Sequence, residues 1–209
     1  MMDGLTTGPE RRRDGGAYRA LWTFDHEAYL AHLLRLTPED RRSRFQYPAT
    51  DAQIEKHVAE FLGGGGHVIG WFVDGELRGA AEVMIFPDGR TAEAAFEVEA
   101  DWRGRGVGAE LVARSLLWAR NRGVATLLIH TTRRNTAMLK AAKQSGARFE
   151  FDLSDAEGVI DAPRPSWTSH LREAVFEEEG LRRWFHDRIW RRISLAWRRD
   201  RSSGESRGA

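Results

Sequence analysis

Three glycines stand at alternate positions in the stretch DWRGRGVGAE, residues 101–110, which follows an apolar run and precedes a long helical pattern. A strand that turns through glycines into a helix directs the first N–H groups of that helix at one point, where the helix dipole favours an anion. Glycine also allows a ligand to approach the main chain closely. The stretch therefore predicts a phosphate-binding loop with Arg103 and Arg105 as counter-charges. The alternative is a glycine-rich turn shaped only by packing.

The residues around the loop narrow the class of phosphate ligand. No lysine follows the glycines, which excludes the GxxxxGK[ST] nucleotide-binding loop. The stretch GRGVGA formally fits the dinucleotide fingerprint, but that fingerprint expects an acidic residue about 20 positions on, where residues 130–132 read His-Thr-Thr. Binding of a nicotinamide dinucleotide is therefore disfavoured.

Three glutamates form a second set of reactive side chains just before the loop. In the predicted strand TAEAAFEVEA, regular alternation puts Glu93, Glu97 and Glu99 on one face. Phe96 and Val98 then point to the other face, toward the core. A carboxylate held in an apolar wall can act as a general base, because burial raises its pKa toward neutrality. The alternative is a solvated face of three glutamates.

The spacing of apolar residues predicts the elements that position the loop and the glutamates. The predicted helices are 25–36, 37–45, 52–62 after Asp51 as N-cap, 108–123 and 135–146. The predicted strands are 17–25, two runs within 67–86 around Asp-Gly-Glu, 91–100, 124–131, 147–153 and 157–162. Hairpins give antiparallel pairs and the helical crossover after the loop gives a parallel pair, so an α/β domain with a mixed sheet is expected.

Composition limits the possible functions. The chain has no cysteine, which excludes disulfides, zinc–thiolate sites and cysteine nucleophiles. His57 and His67 show no metal-ligand spacing with partners, and no metal is predicted. A net charge of +1 gives no general attraction to nucleic acid. No signal-peptide pattern is present and no apolar run approaches the roughly 20 residues that span a bilayer, so a cytoplasmic protein is expected.

Charge and composition also suggest three regions. Residues 1–16 lack periodicity and are predicted to be a disordered leader, residues 17–162 form the α/β domain, and residues 163–209 form a linker and a helical tail. Residues 181–209 carry nine arginines against three acidic residues, interleaved with tryptophans at helical spacing. Such an amphipathic helix can fold back on its own domain, form a homodimer or partner contact, or lie on a membrane surface. Nucleic-acid binding is the least favoured interpretation, because no sequence motif of a nucleic-acid-binding domain accompanies the basic patch.

The loop and its surroundings resemble the GNAT N-acetyltransferases. The pattern V-x4-R-x-x-G-x-G-A is similar to the acetyl-CoA-binding signature of that family, and Asn135 stands where the family usually has an asparagine near the pantetheine arm. The resemblance implies a GNAT-like mixed sheet flanked by helices, here with a C-terminal amphipathic helical tail. The residues that it implies for binding acetyl-CoA, as co-substrate, are Val98, Arg103, Gly104, Arg105, Gly106, Val107, Gly108, Ala109 and Asn135.

Three stretches, LTPEDRRSRF, AEAAFEVEADWRGRGVG and NTAMLKAAKQSGARF, resemble the GNAT domain of the Pat-type bacterial protein lysine acetyltransferases. Glu93 falls where those domains carry their catalytic glutamate, so Glu93 is expected to be the general base, with Glu97 in reserve. Many GNAT enzymes have a tyrosine general acid at the position of Ala142, which leaves the acid unidentified here. Without a cysteine, direct transfer in a ternary complex is expected rather than an acyl-enzyme.

The sequence thus predicts an acetyl-CoA-dependent N-acetyltransferase whose acceptor is a protein lysine. One alternative keeps this chemistry but takes a small amine, such as a polyamine or an aminoglycoside. The other alternative is a catalytically weak domain that binds acyl-CoA as a sensor or adaptor.

Overall fold

The computed structural model of the protein describes residues 16–153 and 155–182. Nearly all of the predicted leader, residues 1–15, and most of the predicted tail, residues 183–209, lie outside the described residues. The disorder predicted for the leader and the amphipathic helix predicted for the tail therefore stay predictions.

The described strands form one mixed seven-stranded sheet in the order β1-β2-β3-β4-β5-β7-β6. The strands are β1 (Ala17–Leu21), β2 (His67–Val73), β3 (Glu76–Ile85), β4 (Thr91–Val98), β5 (Thr126–Thr132), β6 (Arg148–Asp152) and β7 (Asp155–Asp161). All neighbouring pairs are antiparallel except β4 with β5, which the helical crossover makes parallel. The predicted mixed sheet is confirmed.

Five helices connect the strands within the described chain, and a sixth follows the sheet. They are α1 (His26–Leu34), α2 (Pro38–Phe45), α3 (Asp51–Glu60), α4 (Val107–Asn121), α5 (Thr136–Gln144) and α6 (167–182). Thr37 caps α2 as predicted, because its hydroxyl accepts the N–H of Asp40 at 3.1 Å. The predicted cap of α3 at Asp51 is wrong by one residue. Thr50 is the N-cap, since it and Gln53 exchange the two hydrogen bonds of a capping box.

The helices cover the sheet from both sides. Helices α1 and α3 pack with Val68, Leu77 and Ala80 on one face, while α4 and α5 pack with Val83 and Ala94 on the other. Strand β4 lies between these layers, and its side chains alternate between them. Residues on this strand can therefore contact either layer according to their position.

Helix α6 begins earlier than the helical tail predicted from the sequence. It packs on the end of α4, where Nδ2 of Asn121 donates to the carbonyl of Ser169 at 3.1 Å and Arg122 forms an ion pair with Glu173 at 2.7 Å. None of the helices within the described residues has the length and apolar character that crossing a membrane requires.

Candidate active site

Strands β4 and β5 run side by side and then separate. Their parallel pairing joins Thr91–Ala94 to Thr126–Ile129 and ends there, although β4 continues to Val98 and β5 to Thr132. The gap between the two strand ends opens into a cleft of about 760 Å³. Helix α2, the glycine loop, the start of α4 and helix α5 complete its walls.

The separated end of β4 offers backbone groups to this cleft. Glu99 donates its N–H toward β3, to the carbonyl of Arg78 at 3.0 Å. Because backbone groups alternate in direction along a strand, the N–H groups of Val98 and Phe96 point the opposite way, into the gap toward β5. A ligand in the gap can therefore bind to β4 as another strand would.

The glycine loop ends in the first turn of α4, at the wall of the cleft. Gly104 and Gly106 have positive φ values of 75° and 83°, a conformation that side chains rarely adopt. The N-cap of α4 is Gly106, which has no side chain of its own to cap the helix, so the first N–H groups of α4 are directed at the space before it. A Cβ added to Gly104 or Gly108 would meet no atom within 4 Å. The loop thus provides both the donors and the room that a phosphate group needs.

The two arginines of the loop have different surroundings. Arg103 lines the cleft, donates from Nε to the carbonyl of Val98 at 2.9 Å and forms an ion pair with Asp40 on α2 at 2.7 Å. It therefore ties the loop to both β4 and α2. Arg105 does not line the cleft, and its guanidinium lies 4.6 Å from the ring of Trp102. Eight of the nine predicted cofactor-binding residues line this one cleft, all but Arg105.

Asn135 lies on the far wall of the cleft, at the start of α5. Its side-chain oxygen accepts the N–H of Met138 at 3.1 Å and so caps the helix. Asn135 and Val98, at the end of β4, line the same cleft.

Glu97 is the acidic residue of β4 that lines the cleft. Its side chain is only 4% exposed, and Oε2 accepts a hydrogen bond from Nε of Arg44 at 3.0 Å. The hydroxyl of Tyr29 lies 3.3 Å from Oε1. Burial raises the pKa of Glu97 and the nearby carboxylate of Glu82 raises it further, against the lowering effect of Arg44, so that it reaches about 8. This carboxyl can exchange a proton near neutral pH.

The other two glutamates of the predicted face have other surroundings. Glu99 accepts hydrogen bonds from His32, Arg35 and Arg78 and joins the end of β4 to α1 and β3. Glu93 pairs with Met84 of β3, is half-buried and is not among the residues that line the cleft. The structure thus brings Glu97, but not Glu93, together with the glycine loop.

A family comparison agrees with this arrangement. The family model described as "Acetyltransferase (GNAT) family" matches residues 28–147, which is more than half of the chain. The chain belongs to the GNAT acetyltransferase family. The matched range contains the loop, Glu97 and Asn135.

Two solved GNAT structures share the fold. The GNAT domain of S. lividans PAT has a TM-score of 0.61 at 21% identity, over 69% of this chain and 89% of that chain. Spermidine N-acetyltransferase from Vibrio cholerae, solved in complex with CoA and spermine, has a TM-score of 0.58 at 16% identity, over 71% of this chain and 96% of that chain.

A curated relative matches more closely over a short stretch. dTDP-fucosamine acetyltransferase from Escherichia coli O6:H1 is 53% identical over 47 residues, which is 22% of this chain. The match spans only 21% of that relative's own length.

The residues of the cleft fit the cofactor that the GNAT family implies. Coenzyme A has a diphosphate, which fits the first N–H groups of α4, and a pantetheine arm whose amides fit the free edge of β4. Arg134 and Lys140 line the same cleft and add positive charge for phosphate groups. The described residues contain no group of three or more side chains that could hold a metal ion.

Ala142 on α5 stands where the resemblance to the GNAT family would imply a tyrosine general acid. Ala142 is fully buried in the core under α5. The methyl side chain of Ala142 cannot donate a proton, so the general acid stays unidentified.

Sequence reasoning missed the groups around Glu97, namely Tyr29, Arg44 and Glu82, and it missed His57, which contacts Glu82. Glu82 offered a signal, because it is one charged residue inside the apolar run AAEVMIF and shares a strand face with the buried Ala80. A carboxylate buried in this way requires partners. The sequence does not show that those partners come from three different helices.

Proposed function

We propose that this GNAT protein transfers an acetyl group from acetyl-CoA to a primary amine, and that the amine is a lysine side chain of a protein. One observation carries the proposal. A buried carboxyl group with a raised pKa, Glu97, lies at the separation of β4 and β5, in the same cleft as the glycine loop that begins α4.

Different parts of the cleft would bind different parts of acetyl-CoA. The N–H groups of Val107, Gly108 and Ala109 would hold the diphosphate, and the edge of β4 would hold the pantetheine arm. Asn135 lies where it can contact that arm from the other side. When bound, acetyl-CoA supplies the acetyl group as an activated thioester.

The chain's main chemical task is to remove a proton from the acceptor. An alkyl ammonium has a pKa of about 10.4, so its deprotonation at pH 7 costs about 4.6 kcal/mol. Glu97 takes this proton, and the neutral amine nitrogen then bonds to the acetyl carbon as the carbon–sulfur bond breaks. The N–H of Val98 points into the gap and can donate to the oxygen on which negative charge develops. As the amide forms, its nitrogen loses the second proton to water, and the leaving thiolate takes a proton from water.

We propose Glu97 rather than Glu93 as the general base. Both lie on the same face of β4, but four residues of strand separate them by about 13 Å. Glu97 reaches the cleft and is buried, whereas Glu93 lies beyond it. The sequence prediction ranked Glu93 first, so a test must treat the two residues separately.

The charge of the open sheet face supports a cationic acceptor. Glu150 and Glu157 are exposed and directly paired across β6 and β7, although like charges at this spacing destabilise a sheet. By strand alternation they lie on the same face as Glu93 and Glu97. A cationic acceptor would relieve this repulsion. An open face, rather than an enclosed pocket, supports a polypeptide over a small amine.

Polyamines are the second candidate acceptors, because the same negative face would attract them. A third reading, a catalytically weak acyl-CoA sensor, predicts binding without turnover. Contacts through residues 183–209, with a partner or a second copy, and a cytoplasmic location stay predictions.

The test measures release of the CoA thiol with a disulfide reagent. The chain has no cysteine, so the protein itself gives no background signal. Acetyl-CoA is combined with a lysine-rich peptide, with spermidine or with an amino sugar, and wild type is compared with Glu97→Gln and Glu93→Gln. We expect turnover of the peptide, a loss of about 10²–10⁴-fold in Glu97→Gln and less than tenfold in Glu93→Gln. Faster turnover of spermidine overturns the lysine assignment, a larger loss in Glu93→Gln overturns the assignment of the base, and CoA binding without turnover supports the sensor.

A further inference from the structure

The hydrogen-bond network around Glu97 continues away from the cleft to a second buried carboxylate, Glu82 on β3. The side chain of Glu82 is 5% exposed and does not line the cleft. It accepts hydrogen bonds from the hydroxyl of Tyr29 and from Nη2 of Arg44. Nε2 of His57 lies 2.7 Å from its Oε1. The proposed mechanism gives Glu82 no task.

Arg44 joins the two carboxylates. Its Nη2 donates to Glu82 and its Nε donates to Glu97, while the arginine side chain itself is 9% exposed. One guanidinium can neutralise only one carboxylate. Ionisation of both glutamates would place two negative charges beside one guanidinium among side chains that are less than a tenth exposed, which is unfavourable. The pair therefore holds one proton over much of the pH range.

The hydrogen bonds determine which carboxyl keeps that proton. Glu82 has three close partners, while Glu97 has Arg44 at 3.0 Å and only a long contact, 3.3 Å, to Tyr29. Hydrogen bonds to a carboxylate favour its ionised form. Glu82 is thus the ionised member, and the proton resides on Glu97, at the cleft.

The titratable and charged side chains that face Glu82 and Glu97 come from the three helices packed against this part of the sheet. They are Tyr29 on α1, Arg44 on α2 and His57 on α3. The pKa values agree with the geometry. Burial would raise the pKa of Glu82, but the charge of Arg44 and the hydrogen bond from His57 outweigh it and bring the pKa below its ordinary range.

We propose that Glu82 is a positioning residue for acetyl transfer. Its ion pair with Arg44 is closer than the one that Glu97 forms, and Glu97 therefore stays able to accept and release a proton. Without Glu82, Arg44 would pair with Glu97 alone and favour its carboxylate form more strongly. The inference rests on the proposed role of Glu97 as the general base.

The test follows the pH at which Glu97 ionises. With the lysine-rich peptide as acceptor, each profile of kcat/KM against pH is divided by that of Glu97→Gln, which cancels the titration of the acceptor amine. The pH at which this ratio is half-maximal is compared between wild type and two variants. We expect Glu82→Gln to move it about one pH unit lower, because a negative neighbour is removed, and Arg44→Gln to move it higher, because a positive neighbour is removed. A residue that only supports the fold would lower the rate without moving the profile in opposite directions.

Asp25→Asn is the matched control. Asp25 is a buried carboxylate paired with Arg19 at 2.6 Å, so the same chemical change removes a buried ion pair elsewhere. We expect a lower melting temperature and an unshifted profile. If Glu82→Gln does not fold, His57→Phe removes one donor from Glu82 at a partly exposed position between Phe45 and Phe61, and we expect a smaller shift to lower pH.

A second readout separates this inference from the proposed function. The carboxyl carbon of Glu97, assigned in glutamate-labelled protein by its loss in Glu97→Gln, is titrated by NMR without any substrate. An unshifted titration in both Glu82→Gln and His57→Phe overturns the role of Glu82. A shifted titration in a protein that acetylates no amine supports the effect of Glu82 on Glu97 and overturns the proposed function.

Discussion

Replacing Glu97 by glutamine removes the proton-accepting group and leaves the volume of the side chain almost unchanged. The amide oxygen of glutamine can still accept the hydrogen bond from Arg44, so the packing between α2 and β4 is preserved. The variant therefore isolates the ability of residue 97 to ionise.

The raised pKa of Glu97 sets the size of the effect. With a pKa of about 8, roughly one tenth of the protein carries the carboxylate at pH 7 and about nine tenths at pH 9. Because a general base acts only when it is unprotonated, catalysis by Glu97 increases as the pH rises through 8. The ratio of wild-type to Glu97→Gln kcat/KM should therefore rise about tenfold between pH 7 and pH 9.

The ratio is the useful quantity, because the acceptor amine itself loses a proton over the same pH range. That change is identical for both proteins and cancels when one profile is divided by the other. Release of the CoA thiol is recorded at subsaturating peptide and saturating acetyl-CoA. A flat ratio from pH 7 to 9, or one that falls, would refute the assignment of Glu97 as the base.

Two further predictions concern stability and cofactor binding. Because the folded-state pKa of Glu97 is raised, its favourable contribution is complete below the ordinary carboxyl range and is lost as pH rises toward 8. From pH 5 to pH 9 the free energy of unfolding of wild type should therefore fall relative to that of Glu97→Gln by on the order of a few kcal/mol. The melting temperature of Glu97→Gln minus that of wild type should increase over the same range. A constant difference contradicts the raised pKa. Gly108→Val should fold normally, since a Cβ there meets nothing within 4 Å, yet bind CoA at least about tenfold more weakly in calorimetry because its side chain fills the diphosphate space. Gly63→Val, also in open space but away from the cleft, is its control, and equal affinities in the two variants would argue against the loop as the phosphate site.

Local sequence patterns predicted most of the fold. The turn at Asp74 and Gly75, the stop of α5 at Gly146 and the cap at Thr37 each depend on residues close in sequence, and each is found as predicted. The cap of α3 was displaced by one residue because Thr50 and Asp51 are both good capping residues. Only the position of Gln53, which completes the capping box with Thr50, decides between them.

The candidate site was predictable only in part, for a physical reason. The loop is continuous in sequence, so its glycines and arginines could be found together. The environment of Glu97 is built from α1, α2, α3 and β3, and a pKa depends on that environment rather than on the residue type. Strand alternation placed Glu93 and Glu97 on one face but did not show which of them reaches the gap beside β5.

The central claim is that the gap between β4 and β5 and the glycine loop bind coenzyme A. Isothermal titration of CoA into the wild-type protein tests it most directly. We expect saturable binding of one CoA per chain, together with a rise in melting temperature. No heat and no change in melting temperature at millimolar CoA would contradict the account.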